Sequence, residues 1–432
     1  MYSKITKINA ISSMFGVVLI LLAFLLVGCL PHSPISRNAL ITITPTMPIP
    51  KNTPTETHST FTSTPESTSG LYDISTECIP VESRIPQTVK LRGGTFFYGG
   101  SEKYSNEIVL MNLSTKTIVN LEKNNFSITS LRVSPDGKWV AYFVTNNNNY
   151  SDRKLLVENI ATGSVMDIPL SKEWGLFSLR KWLNNKDLLI TTLENTDYPP
   201  IFIALNSFTE EMLTLPSVFP NQEVLSPITN VSVAEYDPTL NYVIYPAQKN
   251  DVNGFSLFDR AKNEQIVFSP AQTLAETGSP KWSHDGQKYL FLSKTKNSGA
   301  YNMGFLNGDV KILSYLPQEM TSFIVTSITW SPDDKYAAVV IYDVGTKLEK
   351  LILLDLARKK VVDTCIDVNY AKWSGAFSDS NSPVWSPDSY QLIVEKQSEY
   401  EKNDVILIDL SQMRAGILTH NERVLGWISL EP

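Results

Sequence analysis

Four aspartates stand at the same place in four similar stretches of the sequence: Asp136, Asp285, Asp333 and Asp388. Carboxylates can ligate a metal ion or transfer protons, but a site needs them to converge on one point. Each of these aspartates belongs to its own repeat, in a Ser-Pro-Asp or Ser-His-Asp turn. Because each repeat contributes one carboxylate, we expect the four carboxylates to lie far apart around the repeated structure. The pattern therefore favours a role in turns, and no metal site is predicted.

The histidines and the common catalytic motifs do not indicate an enzyme. The sequence has four histidines, and beyond residue 70 they are His284, inside a repeated turn, and His420, in a polar stretch. Gly-x-Ser-x-Gly, His-Glu-x-x-His and glycine-rich phosphate-binding motifs do not occur in it. No catalytic residue and no cofactor is predicted.

The first of three cysteines closes an apolar run that begins after Lys4 and Lys7. A basic start followed by such a run is the layout of a secretory signal. The run ends in Leu-Val-Gly-Cys at residues 26–29, which resembles the bacterial lipobox. The resemblance implies cleavage before Cys29, lipidation of its thiol and anchoring on the extracytoplasmic side of a bacterial membrane. An uncleaved signal anchor is the alternative, because the run is near the minimum length of a membrane span.

The other two cysteines, Cys78 and Cys365, are separated by most of the chain. Disulfides form in the oxidising compartments that an exported protein enters. A Cys78–Cys365 bridge would fix the segment before the repeats to an outer strand of the sixth repeat. Two buried free thiols are the alternative, since the sequence does not give the distance between the two Cα atoms.

Composition divides the 432 residues into four segments. Residues 1–28 form the predicted lipoprotein signal peptide, and residues 29–70 form a linker rich in Ser, Thr and Pro, predicted to be a disordered stalk. Residues 71–93 precede the repeats, and residues 94–432 carry them. The net charge of −7 argues against nucleic acid as a partner, because binding to its phosphates needs cations.

A repeated unit fills the last segment. Each unit opens with a short strand that ends at what we call the anchor residue; the anchors are Val133, Trp182, Tyr236, Trp282, Trp330, Trp385 and Trp427. A Pro-Asp-Gly type of turn follows, then an apolar strand, a polar loop and two more strands. Four strands per unit predict the blades of a β-propeller.

The units resemble the WD40-like repeats of TolB-type propellers, in which Trp-Ser-Pro-Asp-Gly precedes an apolar strand. The units at Trp182 and Tyr236 depart from that turn motif. Residues 94–123 supply three strands without an anchor, and Trp427 supplies an anchor strand without the other three. The two fragments complete one another, because a ring of blades must close. The predicted fold is therefore all-β, a seven-bladed propeller closed by strands from both termini.

The loops on the face away from the repeated turns are longer, and several carry aromatic residues. Trp373 is the leading ligand-binding candidate, with Trp174, Tyr198 and Phe377 as lesser ones. Loops on a rigid scaffold often bind ligands, and flat rings are frequent contact residues. Burial of these rings in the seams between blades is the alternative.

The sequence thus predicts a membrane-anchored, extracytoplasmic propeller that acts as a non-catalytic binding or scaffold module for a protein or glycan. One alternative is an enzyme that processes glycans or peptides in the central channel, which clustered carboxylates there would favour. The other is an envelope component that, like TolB, works through protein partners.

Overall fold

The computed structural model describes thirty β-strands, all within the compact unit Ser67–Pro432. The described residues are 70–99, 108–120, 126–146, 149–170, 177–192, 201–205, 209–212, 234–249, 252–270, 280–294, 299–317, 320, 322–368, 383–397 and 403–430. Within these ranges, no helix is long and apolar enough to cross a membrane.

Seven separate sheets form seven blades, which confirms the predicted β-propeller. Listed from the central channel outward, blade 1 contains β30 (Glu422–Ile428), β3 (Gly94–Gly99), β4 (Ile108–Asn112) and β5 (Ile118–Asn120); blade 2 contains β6 (Phe126–Val133), β7 (Trp139–Asn146), β8 (Asn149–Asn159) and β9 (Val165–Ile168); blade 3 contains β10 (Phe177–Trp182), β11 (Asp187–Thr192), β12 (Ile201–Ala204) and β13 (Thr209–Met212); blade 4 contains β14 (Glu235–Tyr236), β15 (Tyr242–Lys249), β16 (Val252–Asp259) and β17 (Glu264–Pro270). Blade 5 contains β18 (Lys281–Trp282), β19 (Lys288–Lys294), β20 (Gly299–Phe305) and β21 (Val310–Tyr315); blade 6 contains β22 (Phe323–Trp330), β23 (Tyr336–Asp343), β24 (Leu348–Asp355) and β25 (Lys360–Val368); blade 7 contains β26 (Val384–Trp385), β27 (Gln391–Gln397), β28 (Asn403–Asp409) and β29 (Arg414–His420).

Blade 1 is built from both ends of the repeated segment, as predicted. Its innermost strand β30 pairs antiparallel with β3, so that Thr95 lies opposite Trp427 and Phe97 lies opposite Val424. The Thr95 hydroxyl donates a hydrogen bond to the Gly426 carbonyl at 2.8 Å. This pairing closes the ring and gives β3 a partner on its channel side, so that β3 is not an open edge.

The repeated turn keeps its geometry in blade 4, where its sequence departs from the motif, whereas the turn of blade 3 is one residue shorter. In blade 2 the Ser134 hydroxyl donates to the Asp136 carboxylate at 2.6 Å and accepts from the Trp139 N–H at 3.0 Å. In blade 4 Asp237 replaces this serine, and its carboxylate accepts from the Tyr242 N–H at 2.7 Å. A different side chain therefore supplies the acceptor that holds the turn.

The fourth residue after the anchor has a positive φ in these turns, which explains why glycine is common there. Gly137 has a φ of 68°, but Asp334 and Ser389 adopt φ values of 56° and 66° without being glycine. Their side chains bond the preceding blade: the Asp334 carboxylate accepts from the N–H groups of His284 and Asp285, and the Ser389 hydroxyl accepts from the Asp333 N–H. Asp334 and Ser389 therefore adopt a positive φ that glycine would adopt more easily, and their side chains make hydrogen bonds between blades.

The anchor tryptophans join neighbouring blades. In three blades the indole N–H donates to the carbonyl of the residue that stands immediately before the anchor of the preceding blade: Trp182 to Arg132 at 3.0 Å, Trp282 to Glu235 at 2.9 Å and Trp330 to Lys281 at 2.9 Å. Trp385 bonds the hydroxyl of Thr329, again the residue before an anchor, at 3.1 Å. The apolar core likewise lies in the seams, so each seam holds two blades together by burial of apolar surface.

Residues 71–93, which we call the strap, run along the outer edge of the propeller. β1 (Asp73–Thr76) pairs in parallel with β25 of blade 6, and β2 (Val81–Glu82) pairs in parallel with β29 of blade 7. Tyr72, Ile79 and Val89 are buried in three successive seams, between blades 5 and 6, 6 and 7, and 7 and 1. The strap therefore runs from the seam between blades 5 and 6 to the seam between blades 7 and 1.

A disulfide fastens the strap between its two strands. It joins Cys78 to Cys365 of β25, with the two Cα atoms 4.8 Å apart. Next to the bridge, the Ile79 N–H donates to the Thr364 carbonyl at 3.0 Å. The strap is thus attached to blade 6 by a covalent bond, a backbone hydrogen bond and a buried side chain.

Candidate functional site

A cavity of about 410 Å³ lies in the central channel, between the innermost strands of blades 3 to 6 and beside the repeated turns. Its charged and polar lining includes Arg180 and Lys181 of β10, Glu235 of β14, Lys281 of β18 and Thr329 of β22. Apart from Arg180, each of these residues stands immediately before the anchor of its blade. Equivalent positions of successive repeats therefore meet at the channel.

Glu235 is the centre of this cluster, with a side chain only 2% exposed. The Lys181 ammonium lies 3.0 Å from one carboxylate oxygen. The Lys281 ammonium bonds the other oxygen, and the Arg180 guanidinium lies 3.6 Å from it. Cations from blades 3 and 5 thus flank a single carboxylate of blade 4.

The electrostatics of the cluster keep Glu235 ionised. Burial alone would raise the pKa of Glu235, but the positive charges of Lys181, Lys281 and Arg180 outweigh burial and hold this pKa well below its usual range. Burial also lowers the pKa of Lys181, against the attraction of Glu235, and repulsion from Lys281 and Arg180 lowers it further. A carboxylate in this state does not donate a proton near neutral pH, so the cluster is suited to binding a charged group.

A second cavity of about 280 Å³ continues the channel toward blades 2, 7 and 1. It shares Arg180 and Lys181 with the first cavity, and it adds Arg132, Val384 and Gly426, which again stand immediately before anchors. The Arg132 guanidinium donates to the Leu131 carbonyl at 2.9 Å. Among the described residues that line this cavity, Arg132 is the one cation contributed by blades 2, 7 and 1.

His284 lies at the rim of both cavities and acts as part of a turn. Its ring Nδ1 is 3.1 Å from the Asp334 carboxylate, which also accepts its backbone N–H at 2.8 Å. Burial would raise the pKa of Asp334, but the hydrogen bonds from His284 and Asp285 outweigh burial and lower it. This pair joins the turns of blades 5 and 6, as the position of His284 within the repeat suggests.

The repeated aspartates remain in their own turns. In each case a serine hydroxyl two residues earlier donates to the carboxylate: Ser134 to Asp136 at 2.6 Å, Ser283 to Asp285 at 2.6 Å, Ser331 to Asp333 at 2.8 Å and Ser386 to Asp388 at 2.6 Å. Among the described residues, no group of three or more His, Cys, Asp or Glu side chains is placed to hold a metal ion. The serine hydrogen bonds give these carboxylates a role in their turns, as their spacing predicts.

The binding residues expected from the sequence fall outside the described residues. This holds for Trp373, Trp174, Tyr198 and Phe377 on the longer loops, and also for the lipidation candidate Cys29. Their roles stay predictions. Sequence reasoning missed the channel cluster, although alignment of the repeats on their anchors would have shown Lys181, Glu235 and Lys281 in one column.

Comparison with known proteins adds information about the fold. The sequence matches no protein-family profile and no curated protein. Similar solved structures include TolB from Acinetobacter baumannii, at 12% identity and a TM-score of 0.38, covering 78% of this chain and 66% of TolB. The chain therefore spans slightly less than two thirds of that TolB.

Two further solved structures are similar over most of this chain. The β-propeller domain of Myceliophteria thermophila Cps50 (Swd1) has 13% identity and a TM-score of 0.43, with 77% of this chain and 99% of that domain covered. Oligogalacturonate lyase from Vibrio parahaemolyticus has 10% identity and a TM-score of 0.47, with coverage of 76% and 86%. Similarity at this level concerns the fold only. The chain is a seven-bladed β-propeller that resembles TolB-type and WD40-type propellers.

Proposed function

We propose that this protein is a lipid-anchored, extracytoplasmic propeller that acts as a non-catalytic binding module in a bacterial cell envelope. The observation that carries the proposal is the channel cluster, in which Glu235 is ionised and bonded by cations from two neighbouring blades. General acid catalysis by a carboxyl group needs a pKa raised toward the working pH, and here the pKa of Glu235 is lowered. The channel cluster is therefore suited to binding a ligand.

Attachment through Cys29 is the second part of the proposal. The basic and apolar start and the Leu-Val-Gly-Cys sequence support it, and the linker at residues 29–70 would hold the propeller away from the membrane. The Cys78–Cys365 disulfide is compatible with an oxidising compartment. A protein or glycan would bind to the channel or to the longer loops that carry Trp373.

The enzymatic alternative predicted clustered carboxylates in the channel. Of the described residues that line the two cavities, Glu235 is the one carboxylate, and it is neutralised by its neighbours. No specific observation favours a second function over the binding module.

The anchor can be tested by producing the full-length chain and its Cys29→Ser variant in a bacterial host labelled with palmitate. We expect the unmodified chain to incorporate label and to fractionate with membranes, because acyl chains hold a protein at about 0.8 kcal/mol per buried CH₂. The variant should lose the label. Equal labelling of both proteins would contradict lipidation at Cys29.

The binding function can be tested with the detergent-solubilised full-length chain on glycan and protein arrays. A Trp373→Ala variant and a Lys281→Gln variant would show which surface is used. We expect at least one saturable ligand whose binding one of these changes weakens. Binding to no array component would contradict the binding module.

A further inference from the structure

We infer that the 410 Å³ cavity binds an oxyanion, a carboxylate or phosphate group carried by a small polar ligand, through Lys281, Lys181 and Arg180. This inference rests on the proposed binding function and names the chemical class of its ligand. Three cations and one carboxylate line the cavity, so two positive charges remain uncompensated there. The whole chain has a net charge of −7, so the cavity lining differs in sign from the chain as a whole.

The three cations keep hydrogen-bond donors for a ligand. The Lys181 ammonium uses two of its three hydrogens, on Glu235 and on the Tyr236 carbonyl at 2.9 Å. Among the described residues, the Lys281 ammonium has Glu235 as its one hydrogen-bond partner, which leaves two hydrogens. The Arg180 guanidinium is too far from Glu235, at 3.6 Å, for a good hydrogen bond.

These donors also face open space. The side chains of Arg180, Lys181 and Lys281 are 25%, 30% and 36% exposed, whereas Glu235 beneath them is 2% exposed. An entering group therefore meets the cations first and the carboxylate last. An oxyanion would share the cations with Glu235 and reduce the repulsion that lowers the pKa of Lys181.

The dimensions of the cavity limit the ligand. Its 410 Å³ falls within the range of about 300–1,000 Å³ for small-molecule sites. The adjoining cavity shares Arg180 and Lys181 and could hold a further unit of a longer ligand. A sugar acid or a phosphorylated small molecule fits both the volume and the charge.

A purely structural ion cluster is the competing explanation, and substitutions with opposite effects separate the two. Glu235→Gln keeps the shape of the side chain and removes its charge, which leaves three cations for the ligand. Lys281→Gln removes one cation and leaves Lys181 and Arg180 on Glu235. As a matched control, Lys262→Gln removes an exposed lysine that pairs with Asp259 on the β16–β17 hairpin, away from the cavity lining.

The experiment is calorimetric titration of the detergent-solubilised full-length chain with glucuronate, inorganic phosphate and, as a neutral probe, glucose. We expect glucuronate or phosphate to bind and glucose not to bind. Whichever of glucuronate and phosphate binds more tightly shows whether the site recognises a carboxylate or a phosphate group. Lys281→Gln should weaken binding about tenfold, Glu235→Gln should tighten it about threefold or more, and Lys262→Gln should leave it unchanged. Added salt should weaken binding to the unsubstituted chain.

Several results would overturn the inference. It fails if neither anion binds, if glucose binds equally well, or if Lys281→Gln binds with unchanged affinity. It also fails if Glu235→Gln, shown to be folded by its melting transition, binds more weakly than the unsubstituted chain. A ligand found on the arrays that is insensitive to Lys281→Gln would leave the binding module intact and reject only the oxyanion site.

Discussion

Removal of β30 is the most direct test of how the ring closes. A chain that lacks residues 424–432 would lose the innermost strand of blade 1, and with it the buried side chains of Val424, Leu425, Trp427 and Ile428. Each of these side chains is at most 5% exposed. The deletion also removes the indole hydrogen bond from Trp427 to the Arg92 carbonyl, 3.1 Å long.

The expected loss is comparable with the stability of a whole domain. Burial of the three aliphatic side chains and of the Trp427 indole contributes about 8–14 kcal/mol in all. Domains of ordinary size are stable by about 5–15 kcal/mol. We therefore expect the truncated chain to lose its cooperative unfolding transition, and to self-associate because β3 becomes an open edge.

The assay is urea unfolding followed by tryptophan fluorescence and far-UV circular dichroism, with size-exclusion chromatography for association. Trp427→Ala provides a graded variant that should fold and lose about 3–5 kcal/mol. Removal of Glu431 and Pro432 alone leaves β30 intact and serves as the control. A truncated protein with the same urea midpoint and slope as the intact chain would refute closure by β30.

Four further predictions concern other contacts. Thiol counting under denaturing, non-reducing conditions should find neither Cys78 nor Cys365 free. Two titratable thiols per chain would contradict the bridge. Cys78→Ser should lower the free energy of unfolding by about 2–4 kcal/mol. Asp334→Gly should lower stability by about 2 kcal/mol despite the positive φ, because it removes both oxygens that accept from the N–H groups of His284 and Asp285. Asp334→Asn keeps one acceptor oxygen and should lose less stability than the glycine variant. A glycine variant as stable as the unsubstituted chain in urea unfolding would be inconsistent with this role. Burial raises the pKa of Glu395 to about 7, so the folded form keeps a proton that the unfolded form releases near pH 4.5. This group should therefore lower stability by about 3 kcal/mol as the pH rises from about 4.5 to 7. In urea unfolding at several pH values, Glu395→Gln should reduce the slope of stability against pH without removing all of it, because burial also raises the pKa of Glu422; an unchanged slope would contradict the raised pKa of Glu395. If the longer loops bind an array ligand, Trp373→Ala should weaken its binding at least tenfold and leave the melting temperature unchanged. A loss of about 3–5 kcal/mol in the free energy of unfolding would instead show that the Trp373 ring packs in a seam between blades.

The repeats allowed the fold to be predicted in some detail. A blade is made of strands that are adjacent in sequence, so its turns and apolar strands leave a local pattern at each anchor, from Val133 to Trp427. The shared blade followed from the count of strands at the two ends. Even the irregular unit at Tyr236 keeps the turn, because Asp237 supplies the acceptor that serine supplies elsewhere.

The strand pairing of the strap with blades 6 and 7 was decided by tertiary structure alone. Its strands β1 and β2 are four and two residues long, and they pair with strands that lie hundreds of residues later in the chain. Segments that short carry no periodic signal. The position of Cys78 beside Cys365 likewise depends on that pairing and on the path of the strap around the ring.

The candidate site also depended on closure of the ring. Lys181, Glu235 and Lys281 lie in different repeats, and each by itself is an ordinary charged residue before an anchor. Their charges interact because the innermost strands converge on the channel, where burial reduces screening by water. The sequence by itself determined the blades and their number, since those depend on local hairpins; the tertiary structure decided which charges meet, since Coulomb interactions depend on distances that only the closed ring sets.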